Sequence, residues 1–138
     1  MRRLALLLAL ALATTSCMNE IDQSTRPENI VGTYTLVTYG GKLPAPYSTG
    51  SAGVSQVIAG ELVMSSDRTW TETLTISTPI GGSAQTFLLM SEGSWSIIRE
   101  QAYVIFNDKT NGYQFSGIAA GGQVTTNTES GKEIIFRR

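Results

Sequence analysis

Residues 57–77 read VIAGELVMSSDRTWTETLTIS, and the alternation in this stretch decides the fold. Ile58, Gly60, Leu62 and Met64 share one parity; Trp70, Glu72, Leu74 and Ile76 share another, set against a row of Thr69, Thr71, Thr73 and Thr75. A period of two marks a half-buried strand, and Ser65-Ser66-Asp67 between the two runs supplies turn chemistry. Directly opposed residues of a hairpin point to the same side. A register in which opposed residue numbers sum to 132 or 134 therefore sets Leu62 and Met64 beside Trp70 and Glu72. An odd sum would lay Leu62 against Thr71 and turn a whole apolar row to water, which burial disfavours.

The same pattern continues on both sides. Short runs rich in Thr, Val, Ile and aromatics are predicted as strands over 30–38, 57–64, 69–77, 86–97, 103–107, 112–119, 123–128 and 132–137. They are separated by turn residues: Pro79 with Gly81-Gly82, Arg99-Glu100, Asn111-Gly112, Gly121-Gly122 and Ser130-Gly131. No helix is predicted in this region. Eight strands joined mostly by hairpins form an antiparallel meander, and closure into a barrel removes its exposed edges. Parity places Tyr34 and Leu36 of the first strand inward, with Phe87, Leu89, Trp95 and Ile97 of the fourth and Tyr113, Phe115, Gly117 and Ala119 of the sixth. Gly93 interrupts the fourth strand at a position suited to a bulge. In the fifth and eighth strands both parities are apolar; our reading sets Tyr103 and Phe136 inside. Five Tyr, four Phe and two Trp suffice to fill a small eight-stranded interior or to line a modest cavity.

Composition narrows the chemistry. The 138 residues carry 10 Lys+Arg against 11 Asp+Glu, with no His and one Cys. A Ser/His/Asp triad, a Cys/His dyad, a His-ligated zinc and an internal disulfide are thereby excluded. No basic cluster suits phosphate neutralisation, so nucleic acid is not an expected partner. Neither a metal nor a cofactor is expected, and the chain is read as a monomer that is not an enzyme.

The beginning of the chain has a different character. Met1-Arg2-Arg3 followed by the apolar run from Leu4 to Ala13 is the pattern of an export signal, too short for the roughly 20 residues of a membrane span. The segment Thr14-Thr15-Ser16-Cys17 resembles the lipobox of bacterial lipoproteins, with Thr14 where that family usually has Leu. The resemblance implies cleavage before Cys17 and acylation of its thiol; the plainer alternative is a conventional signal with Cys17 an ordinary residue beside the cut. Met18 in place of Asp after the Cys implies, by the same resemblance, sorting to the outer membrane, facing the periplasm. Without residues 1–16 the chain keeps 8 Lys+Arg and 11 Asp+Glu, a net charge of −3. The expected organisation is a signal peptide over 1–16, a lipidated Cys and polar tether over 17–29, and a barrel over 30–138.

Gly32-Thr33-Tyr34-Thr35-Leu36, the stretch from Gly60 to Trp70, Gly93-Ser94-Trp95-Ser96-Ile97 and the closing Ile134-Ile135-Phe136-Arg137-Arg138 together resemble the bacterial lipocalin-like domain proteins over 30–138. The match lies in strand openings and carries no catalytic signature. Lipocalins have Gly-x-Trp on the first strand and a late Arg across the Trp ring; here Tyr34 replaces the Trp and Arg137 or Arg138 supplies the cation. The resemblance also implies that the connection 39–55, with Pro44, Pro46 and four glycines, covers the open end, either as a hinged lid bearing Tyr47 or as a disordered surface loop.

Glu72 shares parity with Trp70 and Leu74, and an ionised carboxylate inside an apolar barrel is costly unless partnered. It sits at a wet mouth, pairs internally with Arg or Tyr, or meets a ligand. Glu61 and Glu92 face outward by parity, so no second acid converges on it. The expected activity is binding of a small apolar or amphipathic molecule, with Tyr34, Leu36, Tyr47, Trp70, Glu72, Leu74, Phe87, Leu89, Trp95, Tyr103, Tyr113 and Phe115 as lining. The expected anchor is the membrane through acylated Cys17. The alternative is a solid-cored envelope module that binds other proteins.

Overall fold

The computed structural model describes residues 27–51, 53–98 and 103–138. The export signal, Cys17 and most of the tether lie outside the described residues. One helical turn, Pro27–Ile30, opens the described chain, with proline at the first helical position, where its missing N–H costs nothing. Nine strands follow: β1 Gly32–Tyr39, β2 Ala45–Gly50, β3 Gly53–Met64, β4 Thr69–Ile80, β5 Ser83–Ile98, β6 Tyr103–Asp108, β7 Gln114–Ala120, β8 Gln123–Asn127 and β9 Glu133–Arg137. All pairings are antiparallel.

Eight of them close a barrel. From β3 the order runs through β4, β5, β6, β7, β8 and β9 to β1, and β1 pairs back onto β3. The seam is β1 itself: Gly32–Thr35 pair with Glu61–Met64 of β3, while Thr35–Tyr39 pair with β9. Above the seam β2 takes over the edge of β3, Ala45 opposite Val57 and Gly50 opposite Gly53. The connection 39–55 is thus neither a lid nor a free loop. Its residues Ala45–Gly50 form a strand that extends the wall.

The deciding hairpin folds in the register that sums to 134: Leu62 opposes Glu72, Met64 opposes Trp70 and Gly60 opposes Leu74. Beyond Gly60 the register shifts at Ile58, so Val57 rather than Ile58 points in and is fully buried. Similar shifts occur at Val37 in β1 and at Tyr47 in β2. Gly93 is no bulge, because β4 and β5 pair through it without a break and the β5–β6 ladder starts at it in register. A Cβ there would run into the carbonyl of Asn107 and stand 2.9 Å from the Trp70 indole nitrogen, so only glycine permits this approach. In β6 the inward parity is Val104, Phe106 and Asp108. Tyr103, expected inside, faces out. Its register is fixed by Trp95 opposite Phe106 and Ile97 opposite Val104, so the large ring of Trp95 sets the parity of its neighbour.

The core fills the lower half of the barrel. Tyr34, Met64, Trp70, Trp95, Phe106 and Phe136 are almost completely buried there. Trp70 meets Phe106 and Phe115 edge-on at 5.6 and 5.7 Å, and those two rings stack at 4.9 Å; each such pair adds about 0.5–1.5 kcal/mol beyond burial. The two indoles are tied across β4 and β5: Trp70 Nε1 donates to the Ser94 carbonyl and Trp95 Nε1 to the Thr69 carbonyl. The bottom is closed by residues 29–31 together with Arg138. Ile30 is buried against the core, the Tyr34 hydroxyl donates to its carbonyl at 2.7 Å, and Arg138 lies over the Tyr34 ring at 5.5 Å. The Arg138 guanidinium also donates to the carbonyls of Asn29 and Val31. Of the two candidate cations, Arg138 makes the closing contact.

One hairpin leaves the barrel. β5 pairs with β6 only from Gly93 downward, whereas β4 and β5 stay paired up to Ile80 and Ser83 around Gly81-Gly82, both with φ positive. Both strands are longer than their sequence suggests. Ten residues of β5, about 30 Å of strand, rise above the neighbouring wall. Leu88 and Met90 on their outer face are 67% and 61% exposed. Among the described residues, Ser83–Ser91 of β5 pair only with β4.

Candidate functional site

The packed core ends just above the level of the Trp70 and Phe106 rings. Above it the inward positions are Tyr39 of β1, Glu72 and Leu74 of β4, Leu89 of β5, Phe115 of β7, Thr126 of β8 and Ile134 of β9, and the turns at this end carry Thr110, Asn111 and residues 127–130. Short hydroxyl and amide side chains cannot span the barrel as the indoles below do. The wall is also uneven, tall where β4 and β5 project and low where β6 stops at Asp108. The result is an open cup of about 550 Å³, within the roughly 300–1,000 Å³ typical of ligand pockets.

Six of the residues singled out from sequence meet in this cup: Tyr47, Glu72, Leu74, Leu89, Tyr113 and Phe115. Five others do not reach it. Tyr34, Leu36, Trp70 and Trp95 are buried in the filled half, and Tyr103 is on the outer surface. Phe87 lies on the cup side of the projecting hairpin, where with Ile76, Leu89 and Tyr47 it lines a shallower groove of about 230 Å³. Sequence reasoning missed Tyr39, Ile134 and Lys132, which a bulge or a turn brings to the rim, and the polar residues of the β6–β7 and β8–β9 turns. Short-range turn signals were present at those turns, but nothing in them says which end of a barrel they will occupy.

Glu72 forms the partition between the cup and a void of about 10 Å³ below it, lined by Leu62, Trp70, Phe106, Phe115, Thr126 and Phe136. The residue is half-buried, but its Oε1 is sealed from solvent and has no hydrogen-bond partner among the described residues. Burial, reinforced by the nearby charge of Asp108, pushes its pKa up from 4.5 to about 7. Asp108 is the acid that parity reasoning did not find: β4 and β6 both pair with β5, which sets Glu72 opposite Ser91 and Asp108 opposite Gly93, and the sequence alone does not give that register. Both Asp108 oxygens accept from Asn111, from the backbone N–H and from Nδ2, each at 2.9 Å. Glu61 and Glu92 are exposed on the outside.

The phenols respond to the same surroundings. Burial raises Tyr39 above the usual phenol range, helped by Tyr47, Glu72 and Tyr113. Burial also raises Tyr113, with Asp108, Glu129 and Glu72 adding to it. Lys132 is the only cation among the described lining residues. Its Nζ donates to the Pro46 carbonyl at 3.0 Å and lies 5.5 Å from the Tyr39 ring centre, which staples the β8–β9 turn to β2. The site therefore combines an apolar wall, phenol and hydroxyl groups at the rim, and one unpartnered acid at its floor.

No protein-family model matches this chain, and no curated protein matches it.

Proposed function

We propose that this chain is a lipocalin-like binding protein, carried on the cell envelope by acylated Cys17, whose cup holds a small amphipathic molecule. The observation that carries this reading is the cup itself, a space of about 550 Å³ open at one end of a closed antiparallel barrel and floored by a packed core. Such a barrel is compatible with a lipocalin-like fold. A lining of Leu74, Leu89, Phe115 and Ile134 beneath a rim of phenols and hydroxyls suits a guest with an apolar body and a polar end. We read the site as binding rather than catalytic. Glu72 is its one floor acid, and each oxygen of the neighbouring Asp108 accepts a hydrogen bond from Asn111.

Native mass spectrometry of the protein recovered from its host's envelope tests this directly. A co-purifying small molecule is the expected result, and repeated recovery of empty protein would count against a carrier. The anchor is tested separately: a Cys17→Ser variant should leave the membrane fraction and appear as soluble protein, and unchanged partition would refute lipidation. A second reading, a protein-docking module, draws on the outer face of the projecting hairpin, where Leu88 and Met90 are exposed. It predicts that lysines at these two positions abolish capture of a specific envelope protein without changing small-molecule content.

A further inference from the structure

Two residues buried inside the barrel carry hydroxyls that are neither partnered nor sealed. Tyr39 is 6% exposed and Thr126 is 5% exposed, and both line the cup. Neither hydroxyl is hydrogen-bonded among the described residues. The sealed, unpartnered oxygens are other atoms, Thr38 Oγ1 and Glu72 Oε1, so the Tyr39 and Thr126 hydroxyls stay reachable. They belong to a larger set. Eleven of the nineteen lining residues bear a neutral hydroxyl or amide. Some of these are engaged: Thr110 accepts from the Glu92 N–H, and Thr128 and Ser130 bond each other. The hydroxyls of Tyr47 and Tyr113 and the amide of Asn127 are not, among the described residues.

This wall discriminates between guests. An anionic end would meet the acids Glu72, Asp108 and Glu129, while the lining cation Lys132 is already held by the Pro46 carbonyl and the Tyr39 ring. A cationic end is poorly served, since the unpartnered Glu72 oxygen is sealed, both Asp108 oxygens accept from Asn111 and Glu129 stands on an exposed turn. A wholly apolar guest would cover the Tyr39 and Thr126 hydroxyls and leave them without partners, which costs more than a typical hydrogen bond contributes.

A guest with hydroxyls of its own matches them, because a hydroxyl both donates and accepts. Burial, with neighbouring acids, holds Tyr39 and Tyr113 above the usual phenol range, so both phenols keep their proton and their donor. The free groups come from β1, β2, β8 and the β6–β7 turn, and a single guest hydroxyl cannot meet them all. We infer that the cup selects guests whose polar end is an uncharged, sugar-like ring bearing several hydroxyls, held by Tyr39, Tyr47, Tyr113, Thr126 and Asn127. This inference rests on the binding reading above and specifies its guest. The Tyr113 and Phe115 rings, 5.7 Å apart and tilted by 42°, offer aromatic surface to the C–H side of such a ring.

Isothermal titration of the full chain, kept below micelle-forming concentrations, tests the proposal with five ligands that share one tail: octyl glucoside, octyl galactoside, octan-1-ol, octanoate and octylamine. One of the glycosides should bind at least about tenfold more tightly than the last three. Tyr39→Phe, Tyr113→Phe and Thr126→Val remove a hydroxyl at nearly constant volume. Each should weaken the preferred glycoside about fivefold, with a smaller loss for octan-1-ol; equal losses for the two ligands would refute the hydroxyl contacts. Glycosides no tighter than octan-1-ol, or octanoate or octylamine binding tightest, would overturn the inference and leave the cup as a binding site. Failure of all five to bind would overturn both readings. If the variants do not fold, the comparison on the unaltered protein decides alone. Methyl glucoside and methyl galactoside separate the two sources of such a ring. Binding within about tenfold of the octyl counterpart indicates a free sugar, and weaker or no binding beside a tight octyl glycoside indicates a glycolipid headgroup.

Discussion

Replacing Glu72 by glutamine should stabilise the empty protein in mildly alkaline solution and have little effect in acid. A carboxyl whose pKa is higher in the folded chain than in the unfolded one binds protons preferentially when folded. Its favourable contribution is complete below about 4.5 and is lost as pH rises through about 7. That interval, at about 1.36 kcal/mol per pH unit, amounts to about 3 kcal/mol by which ionised Glu72 weakens the fold above neutrality. Glutamine has nearly the same shape and no charge to desolvate, so it escapes that penalty at every pH. The assay is urea unfolding of both proteins at about pH 4 and pH 8, taking the difference between them at each pH so that all other titrations cancel. The stability gap should shift in favour of the variant by about 3 kcal/mol between the two conditions. Parallel pH–stability curves would refute the argument, since they would mean that Glu72 is solvated or paired in the folded state.

Gly93→Ala should destabilise by about 3 kcal/mol, because its Cβ would collide with the Asn107 carbonyl. Gly82→Ala, where no atom lies within 4 Å but φ is 83°, should cost only about 1–2 kcal/mol of backbone strain; thermal unfolding of the pair separates collision from strain. Arg138→Ala removes the cation over Tyr34 and two hydrogen bonds at the barrel floor, and should lower stability by about 1–2 kcal/mol without altering guest binding, a split readable by parallel denaturation and calorimetry. Leu88→Lys with Met90→Lys, on the exposed outer face of β5, should change stability by less than about 0.5 kcal/mol in urea unfolding, because both side chains already face solvent.

The barrel was legible because its inner rows are strictly alternating wherever two strands face each other without a bulge. Leu62, Met64, Trp70 and Leu74 fixed one hairpin, and Phe115, Ala119 and Phe136 agreed with it. What stayed hidden depended on events that leave composition unchanged. A single extra residue at Ile58 or Val37 reverses parity, so Val57 and Tyr39 came inside against the count. β2, with the sequence APYSTG, looks like a loop because Pro and Gly frame it, yet an exposed edge tolerates both. Tyr103 and Val104 were indistinguishable until Trp95 chose between them across the ladder. Of the candidate site, Glu72 was visible from its incongruous place in an apolar row. Asp108 was not, since its nearness depends on the β5–β6 register, nor was the rim, since only closure of the ring brings the turn residues of distant strands to one end.

Tryptophan packing below and vacancy above divide this barrel into a keel and a vessel. Substitutions at Leu89, Tyr113 or Asn127 touch few of the interlocked rings that hold the ribbons together, so the upper tier is free to drift toward new cargo while the lower tier preserves the shape. A laboratory library confined to the upper positions should therefore yield many folded members with altered preferences, whereas one spread over both tiers would lose most of its diversity to misfolding.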